Sequence, residues 1–255
     1  MAQRHPANED ARPSTEGTDP AVAVFALDEL SPHELRQAIA SVPVAAEDQP
    51  LPQVVIRGLR GQHGALMRID HPVRVTAEGD LGDYAFAFHS QADARLTGSV
   101  GHGVGEGMSG GAIRIRGNAG HGAGTAMTGG TLAILGSAGH RCGAAMRGGG
   151  IFVRGDVGEE TGVGALRGMI VIGGDAGRNL GDAVNNVTIF IRGHAESLAE
   201  GVTEAPLRKR EQLRLGLMLI NASIRGDATE FRRIIPEAML RAERARQGEV
   251  TPNWR

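Results

Sequence analysis

The sequence has very little cysteine, lysine or aromatic side chain. Cys142 is the only cysteine among 255 residues, so no disulfide can form within the chain, and an intracellular setting fits this composition. Lys209 is the only lysine, so arginine supplies almost all of the positive charge. Aromatic residues make up 3% of the chain, which indicates a narrow interior filled by small and β-branched side chains.

Long apolar runs and a strong net charge are also missing. No apolar stretch approaches the length of a membrane-spanning helix, and the N-terminus lacks the apolar segment of a secretory signal. The formal net charge is −2 at pH 7, so the charge balance gives no attraction to nucleic acid or membrane. We therefore predict a cytoplasmic protein that binds neither nucleic acid nor membrane.

Glycine, in contrast, is abundant and follows a fixed period. A four-residue segment that begins with glycine returns every 19 residues between positions 79 and 197. The glycines that open its six full copies, predicted to be structural turns, are Gly79, Gly98, Gly117, Gly136, Gly155 and Gly174. Self-similarity at such a short fixed period is the signature of a solenoid.

Further columns keep the same period. Glycine-containing turns recur at Gly105 and at Gly111, and both glycines return at the following 19-residue steps. Between the turns lie apolar triplets such as 113–115, 132–134 and 151–153. The first and third residues of a triplet lie on one face of a strand, and here they are isoleucine, leucine or valine. They predict stacked ladders of core residues.

The period selects the fold class. A stacked helix pair needs about 33 residues, and glycine lowers helix stability by about 1 kcal/mol relative to alanine. Coils of a hexapeptide β-helix are multiples of six, which 19 is not. We predict an all-β protein, a right-handed parallel β-helix of about seven 19-residue coils with short N-terminal and C-terminal helical extensions. Coils spaced by about 4.8 Å give a rod of about 30–35 Å.

The flanks of the repeat predict a four-part organisation. The parts are a disordered tail over 1–20, a strand, helix and linker over 21–53, the β-helix over 54–200 and a helical extension over 201–255. Ser31 and Glu34 form a capping box for the N-terminal helix. A helical segment is predicted from Leu207 to Ile220, and a second helical region over 227–246, interrupted near Pro236.

The first coil is irregular, as terminal repeats of solenoids usually are. Residues 65–69 show a strand-like pattern there. Tyr84, Phe86 and Phe88 replace the small residues of later coils, and we expect them to plug or flank the end of the core.

Three histidines are the most conspicuous polar column. His102, His121 and His140 are 19 residues apart, so neighbouring imidazoles should lie about 5 Å apart in a ladder. The outer two are then about 10 Å apart, too far for one zinc ion with bonds near 2 Å. The column continues as Glu159 and Arg178, so we interpret it as a structural or solvated surface column rather than a metal site.

Other candidates for chemistry are weak. Met108, Met127 and Met146 form a column interpreted as core filling, with a partner-facing stripe as the alternative. Arg141 could lower the pKa of Cys142, but no base accompanies the thiol, so no catalytic role is predicted.

A carbohydrate-active β-helix enzyme needs clustered carboxylates on one face of its coils. The column that holds Asp80, Asp156 and Asp175 is interrupted by Ser99, Asn118 and Ser137, which are residues that form turns. We therefore predict no catalytic, metal-binding or cofactor-binding residues in this chain.

The coils with Gly-x-Gly-x-Gly turns resemble the GXGXG domain, which forms the C-terminal β-helix of the glutamate synthase large subunit. The same domain occurs as the C subunit of formylmethanofuran dehydrogenase. The segments 60–63 (Arg-Gly-Gln-His), 141–143 (Arg-Cys-Gly) and 230–233 (Glu-Phe-Arg-Arg) are most similar to the stand-alone GXGXG subunit of N-methylglutamate-synthase-type enzymes.

This resemblance implies a role in nitrogen metabolism and methylamine utilisation, as a subunit of an oxidoreductase complex. The subunit would be a non-catalytic scaffold between a class II glutamine-amidotransferase-like subunit and a glutamate-synthase-like subunit that binds FMN and an iron–sulfur cluster. A formylmethanofuran dehydrogenase or formyltransferase/hydrolase complex is the alternative. The residues that we predict as possible partner contacts are Arg60, Gln62, His63, Arg232 and Arg233.

Overall fold

Nine parallel strands stack into one continuous sheet that follows the repeat. The computed structural model describes residues 22–46 and 48–248, so the predicted tail over 1–20 lies outside the described residues. The strands are β1 (Val22–Ala26), β2 (Gln53–Arg57), β3 (Arg74–Ala77), β4 (Asp93–Leu96), β5 (Ala112–Ile115), β6 (Thr131–Ile134), β7 (Arg147–Val153), β8 (Arg167–Ile172) and β9 (Asn186–Ile191). The predicted parallel β-helix is confirmed.

The register of the sheet reproduces the period of the sequence. From β3 to β9, each residue pairs with the residue 19 positions further on, apart from one irregularity near Arg147. A second ladder of single bridges runs along another face, from Leu81↔Val100 to Ala176↔Ala195. The first and third triplet residues point into the coil and are buried, which confirms the predicted core ladders.

The N-terminal end of the rod is closed by helix α1 (Pro32–Ala40). The Ser31 hydroxyl accepts a hydrogen bond from the Glu34 N–H, and the Glu34 carboxylate accepts one from the Ser31 N–H. The predicted capping box is therefore confirmed. Leu35 and Ile39 face the end of the core and are buried there, so α1 covers apolar side chains of the first coil.

The C-terminal end is closed by two antiparallel strands. The last elements are β10 (Val202–Ala205), α2 (Lys209–Ala222), a 3-10 turn (Ala228–Glu230), β11 (Arg232–Pro236) and α3 (Glu237–Gly248). β11 pairs antiparallel with β9 on one side and with β10 on the other. The prediction of helix was therefore wrong for residues 232–236. Without β11, the edge of β9 would leave its N–H and C=O groups unpaired. The buried, β-branched residues Ile234 and Ile235 favour a strand at this edge, and this strand pairs with those groups.

Two expectations for the irregular first coils need correction. The segment predicted as a strand over 65–69 contains no strand, and residues 65–68 lie in a turn in which Leu66 and Arg68 both have φ of 57°. Phe86 is fully buried in the core as expected, whereas Tyr84 and Phe88 are half-exposed. The latter two rings lie outside the coil, where a Cβ on Gly103 or Gly107 would come within 2.7 Å of a ring carbon.

Glycines of the repeat serve two different geometries. A Cβ on Gly136 would lie 2.2 Å from the Asn118 Oδ1 and 2.6 Å from the Gly117 carbonyl oxygen, so close approach of neighbouring coils excludes a side chain. Gly143 instead has φ of +72°, in the left-handed region that favours glycine. The first geometry keeps consecutive coils in direct backbone contact, and the second keeps space for the core side chain of Ile170.

Helix α2 lies on the outer face of the sheet. The middle residues of the last four triplets point out of the coil and are buried: Ala133, Phe152, Val171 and Phe190. They pack against Leu215 and Leu219 of α2 in a second apolar core. The Arg114 guanidinium donates to the Asn221 carbonyl oxygen at 2.5 Å, which holds the C-terminal end of the helix. The helix predicted from Leu207 to Ile220 is present as α2, and it lies over the rod.

Candidate functional site

The histidine column is a continuous hydrogen-bonded ladder. The Nδ1 of His102 accepts the N–H of His121 at 2.8 Å, and the Nδ1 of His121 accepts the N–H of His140 at 2.9 Å. The ring centroids are 4.7 and 4.6 Å apart, so the expected spacing is confirmed. Asp83 begins the ladder by accepting the His102 N–H at 2.7 Å, and Glu159 donates its N–H to His140 at 2.9 Å.

This bonding fixes the protonation state of the column. A nitrogen that accepts a hydrogen bond carries no proton, so each neutral ring holds its proton on Nε2. Burial and the neighbouring His140 and His102 lower the pKa of His121. At the start of the ladder, the hydrogen bond from the His102 N–H lowers the pKa of Asp83. Protonation of His121 at Nδ1 would therefore break its hydrogen bond with the His140 N–H and so weaken the contact between those two coils.

We expect the His121→Asn variant to lose less stability than the wild type between pH 7 and pH 5. A lowered pKa means that the unfolded chain binds a proton before the folded chain does, so stability falls as pH drops below the ordinary value of 6.5. Asparagine keeps an acceptor without titrating, as Asn118 does when it accepts the Ser137 N–H at 2.9 Å. Urea denaturation midpoints at both pH values measure the difference.

Two controls make the pH measurement specific. His121→Ala removes the acceptor as well as the titration, so its midpoint should lie below that of the wild type at pH 7. His89 is buried, and burial also lowers its pKa, but it is present in every variant and cancels in the comparison. Parallel pH curves for the wild type and His121→Asn would rule out the titrating ladder.

The second polar column has the same construction. Asp80 Oδ1 accepts the Ser99 N–H at 2.6 Å, and Asp156 Oδ1 accepts the Asp175 N–H at 2.8 Å. The serine and asparagine side chains between them accept in the same way. Each side chain of this column bonds to the backbone one coil further on, so the residues interpreted as turn formers also join neighbouring coils.

Cys142 and the methionine column lie in the interior of the coils. Cys142 is fully buried, and burial raises the pKa of its thiol to about 12. Arg141 does not activate the thiol, since its guanidinium pairs with Glu160 at 2.6 Å. The methionine column is fully buried, so its interpretation as core filling is confirmed.

Three predicted contact residues lie together on the first coil. Arg60 is exposed and pairs with Asp28 at 2.8 Å. Gln62 closes its own turn, donating to the Gly58 carbonyl oxygen at 2.9 Å and accepting the Arg60 N–H at 2.7 Å. His63 is exposed, and its Nδ1 accepts the Asp83 N–H at 3.0 Å.

The other two predicted contact residues lie at the opposite end and differ from each other. Arg232 is partly exposed and lies 3.3 Å from Glu204. Arg233 is only 3% exposed, and its guanidinium bonds to both carboxylate oxygens of Glu243 at 2.9 and 2.5 Å and to the Pro206 carbonyl oxygen at 2.8 Å. Arg233 thus joins β11 to α3 and presents almost no surface to a partner.

A surface that the sequence analysis did not identify lies along α2. A groove of about 700 Å³ runs along one side of the contact between α2 and the sheet, with a floor that contains glycines and a wall that contains Arg214 and Met218. On the outward side of α2, Leu213, Leu217 and Ile220 are exposed. The sequence contains a signal for this surface, because α2 has apolar residues on two opposite faces. One apolar face is enough to pack a helix on a sheet, so the other is available for a further contact.

Comparisons with known proteins add no family assignment. No protein-family model matches the chain, and no curated protein sequence is significantly similar to it. Within residues 22–46 and 48–248, no three histidine, cysteine, aspartate or glutamate side chains lie where they could hold a metal ion together. None of the helices in that part of the chain is long and apolar enough to cross a membrane.

Proposed function

We propose that this chain is a non-catalytic scaffold subunit of a glutamate-synthase-like complex of the N-methylglutamate synthase type. In this role it holds a glutamine-amidotransferase-like subunit at a fixed distance from an FMN and iron–sulfur subunit. The single observation that carries the proposal is the rigid coil-to-coil bonding of the rod. Two polar columns bond consecutively to the backbone of the next coil, in addition to the sheet itself.

A rod built in this way suits a spacer. Seven parallel pairings join β2 to β9, and strands about 4.8 Å apart give a span of about 34 Å. Both ends are closed by elements outside the repeat, α1 at one end and β10 with β11 at the other. Arg60 and His63 lie exposed near one end and Arg232 near the other, which suits contacts with two different subunits.

The chemistry of the complex belongs to the partners in this proposal. Polar side chains of the two columns are committed to the backbone, and the thiol of Cys142 is buried with a raised pKa. A single cysteine cannot hold an iron–sulfur cluster. We therefore assign FMN and the cluster to the synthase-like subunit, and the release of ammonia from glutamine to the amidotransferase-like subunit.

Mild affinity purification of the tagged chain from its native host tests this assignment. Mass spectrometry and a visible absorption spectrum of the eluate should reveal an amidotransferase-like chain and a yellow-brown flavin and iron–sulfur chain. A colourless complex with formyltransferase-like chains would support the formylmethanofuran-type alternative instead. A chain that elutes alone would contradict both scaffold roles.

A further inference from the structure

The outward face of α2 carries an apolar stripe without a partner in the described part of the chain. Leu213, Leu217 and Ile220 are 75%, 67% and 75% exposed. Their spacing of four and three residues places them on one side of the helix, opposite the residues that pack on the sheet. Folding does not require this second stripe, and clustered exposed apolar residues mark contact surfaces.

Unbalanced positive charge borders the stripe. Lys209, Arg210 and Arg214 are exposed on α2, and no carboxylate within residues 22–46 and 48–248 forms a salt bridge with them. Glu211 is the only acidic residue of α2, and its largely buried carboxylate already pairs with Arg208 at 2.6 Å. The surface is therefore apolar in the middle and cationic at its borders.

This charge argues against a second copy of the chain as the occupant. An antiparallel pairing of two α2 helices centred on Leu217 would place Lys209 of each copy at one end of the interface. Arg210 and Arg214 of both copies would add further positive charge, with no free carboxylate on either helix to offset it. Like charges placed together at an interface disfavour association.

An anionic membrane would complement the positive charge beside the stripe, but the stripe does not have the shape of a membrane-binding surface. The stripe is three residues long on a 14-residue helix, and α2 rests against a sheet, so only a short apolar line is available for insertion. The same line matches about two turns of a facing helix, in which apolar residues at positions i, i+4 and i+7 would lie against it. A protein helix therefore fits better than a lipid surface.

We propose that the α2 stripe docks an amphipathic helix of a partner subunit, with an apolar face flanked by aspartate and glutamate. The carboxylates would pair with Lys209, Arg210 and Arg214, while the apolar face covers Leu213, Leu217 and Ile220. This inference rests on the proposed function in one respect, because it needs the chain to be a subunit of a larger complex. It adds the surface and the chemistry of the contact.

Site-specific photo-crosslinking in the full-length chain tests the inference. A benzophenone amino acid replaces Leu217 in the native host, and a matched control carries it at the exposed Arg241 of α3. After irradiation and capture, mass spectrometry identifies the crosslinked peptides. We expect position 217, but not position 241, to crosslink to a partner peptide with apolar residues at helical spacing and neighbouring acidic residues.

Two charge variants supply an independent readout. Leu217→Glu and Arg214→Glu should each reduce recovery of the crosslinked partner roughly tenfold, because each introduces an unmatched negative charge at the contact. Arg241→Glu on α3 should leave recovery unchanged. The circular dichroism melting temperature should stay the same in all three, since the replaced side chains are exposed.

Several outcomes would overturn the inference. Crosslinks between two copies of this chain would assign the stripe to self-association, and crosslinks to a peptide without acidic residues would remove the charge argument. Flotation of the wild type, but not Leu217→Glu, with phosphatidylcholine and phosphatidylserine vesicles would assign the stripe to membranes. If both predicted subunits co-purify equally with Leu217→Glu, the docking site is wrong while the proposed function stands. A wild-type chain that captures no subunit contradicts both.

Discussion

Gly136→Ala is expected to destabilise the folded chain by about 3 kcal/mol, the upper end of the range for overpacking. The new Cβ would lie 2.2 Å from the Asn118 Oδ1, 2.6 Å from the Gly117 carbonyl oxygen and 2.8 Å from the Gly117 carbonyl carbon. Two of these atoms are backbone of the preceding coil, which cannot move without separating the coils. Asn118 could rotate away only by breaking its bond with the Ser137 N–H. Urea denaturation followed by circular dichroism measures the loss.

The same substitution at Gly216 is the matched control. Gly216 lies inside α2, and a Cβ there would meet no atom within 4 Å. Since alanine favours a helix interior over glycine by about 1 kcal/mol, Gly216→Ala should stabilise the chain. If Gly136→Ala lowers the free energy of unfolding and Gly216→Ala raises it, the loss at Gly136 comes from contact between coils and not from a general effect of alanine on backbone entropy. Equal, small effects would contradict the close packing of coils.

Arg233→Met is expected to cost about 3 kcal/mol, the lower end for breaking a buried ion pair. The variant removes both hydrogen bonds to Glu243 and the one to the Pro206 carbonyl oxygen. The cost stays at the lower end because Arg208 remains 3.1 Å from Glu243. We expect the urea denaturation midpoint to fall, because α3 loses its hydrogen bonds to β11 at the C-terminal end of the rod.

The adjacent arginine provides the control for this second change. Arg232 and Glu204 are partly exposed, and their ion pair spans 3.3 Å, so Arg232→Met should cost less than about 1 kcal/mol. The hydrogen bond from Arg233 is the main cause that lowers the pKa of Glu243 below its ordinary 4.5. Stability from this pair is therefore present at neutral pH and lost on acidification, so the cost of Arg233→Met should shrink below pH 4.5. Equal costs for the two arginines would contradict the buried network.

The period predicted the body of the fold because each coil repeats the same local contacts. A 19-residue step fixes which side chains stack, so the ladders at Ile113 and His102 follow from the sequence alone. β11 could not be found in this way, since it lies outside the 19-residue period and its pairing partner β9 is about 40 residues away in the sequence. The strand predicted over 65–69 was wrong for a related reason. Its apolar pattern does not reveal that Leu66 and Arg68 adopt left-handed backbone conformations.

Side-chain roles were harder to predict than positions. The spacing of His102, His121 and His140 was predictable, but their Nδ1 bonds depend on ring orientations that only the backbone geometry defines. Arg232 and Arg233 are neighbours in sequence, yet one is partly exposed and the other buried, because adjacent residues of a strand face opposite sides. Without the assignment of β11, the two could not be told apart.

The coverage of the outer sheet face by α2 is encoded in the middle residues of the triplets. Arg114 at the middle triplet position gives way to Ala133, Phe152, Val171 and Phe190 in the coils that follow. A change from polar to apolar at an outward position means that something covers it. The two apolar faces of α2 complete this signal, and its uncovered face is the basis for the proposed docking site.

Lengthening the rod by one coil tests the scaffold role most directly. A duplicate of residues 98–116 inserted after Arg116 keeps the 19-residue register, and the second copy of Arg114 still reaches α2. The ends of the rod move apart by about 4.8 Å, while circular dichroism should confirm an intact fold.

A complex assembled with the lengthened chain is expected to lose most of its glutamine-driven turnover. Turnover with added ammonium or amine should persist, because the synthase-like site itself is unchanged. The ratio of the two rates, measured on the same preparation, is the decisive quantity. An unchanged ratio would show that the length of the rod does not set the distance between the two sites, and would contradict the scaffold role.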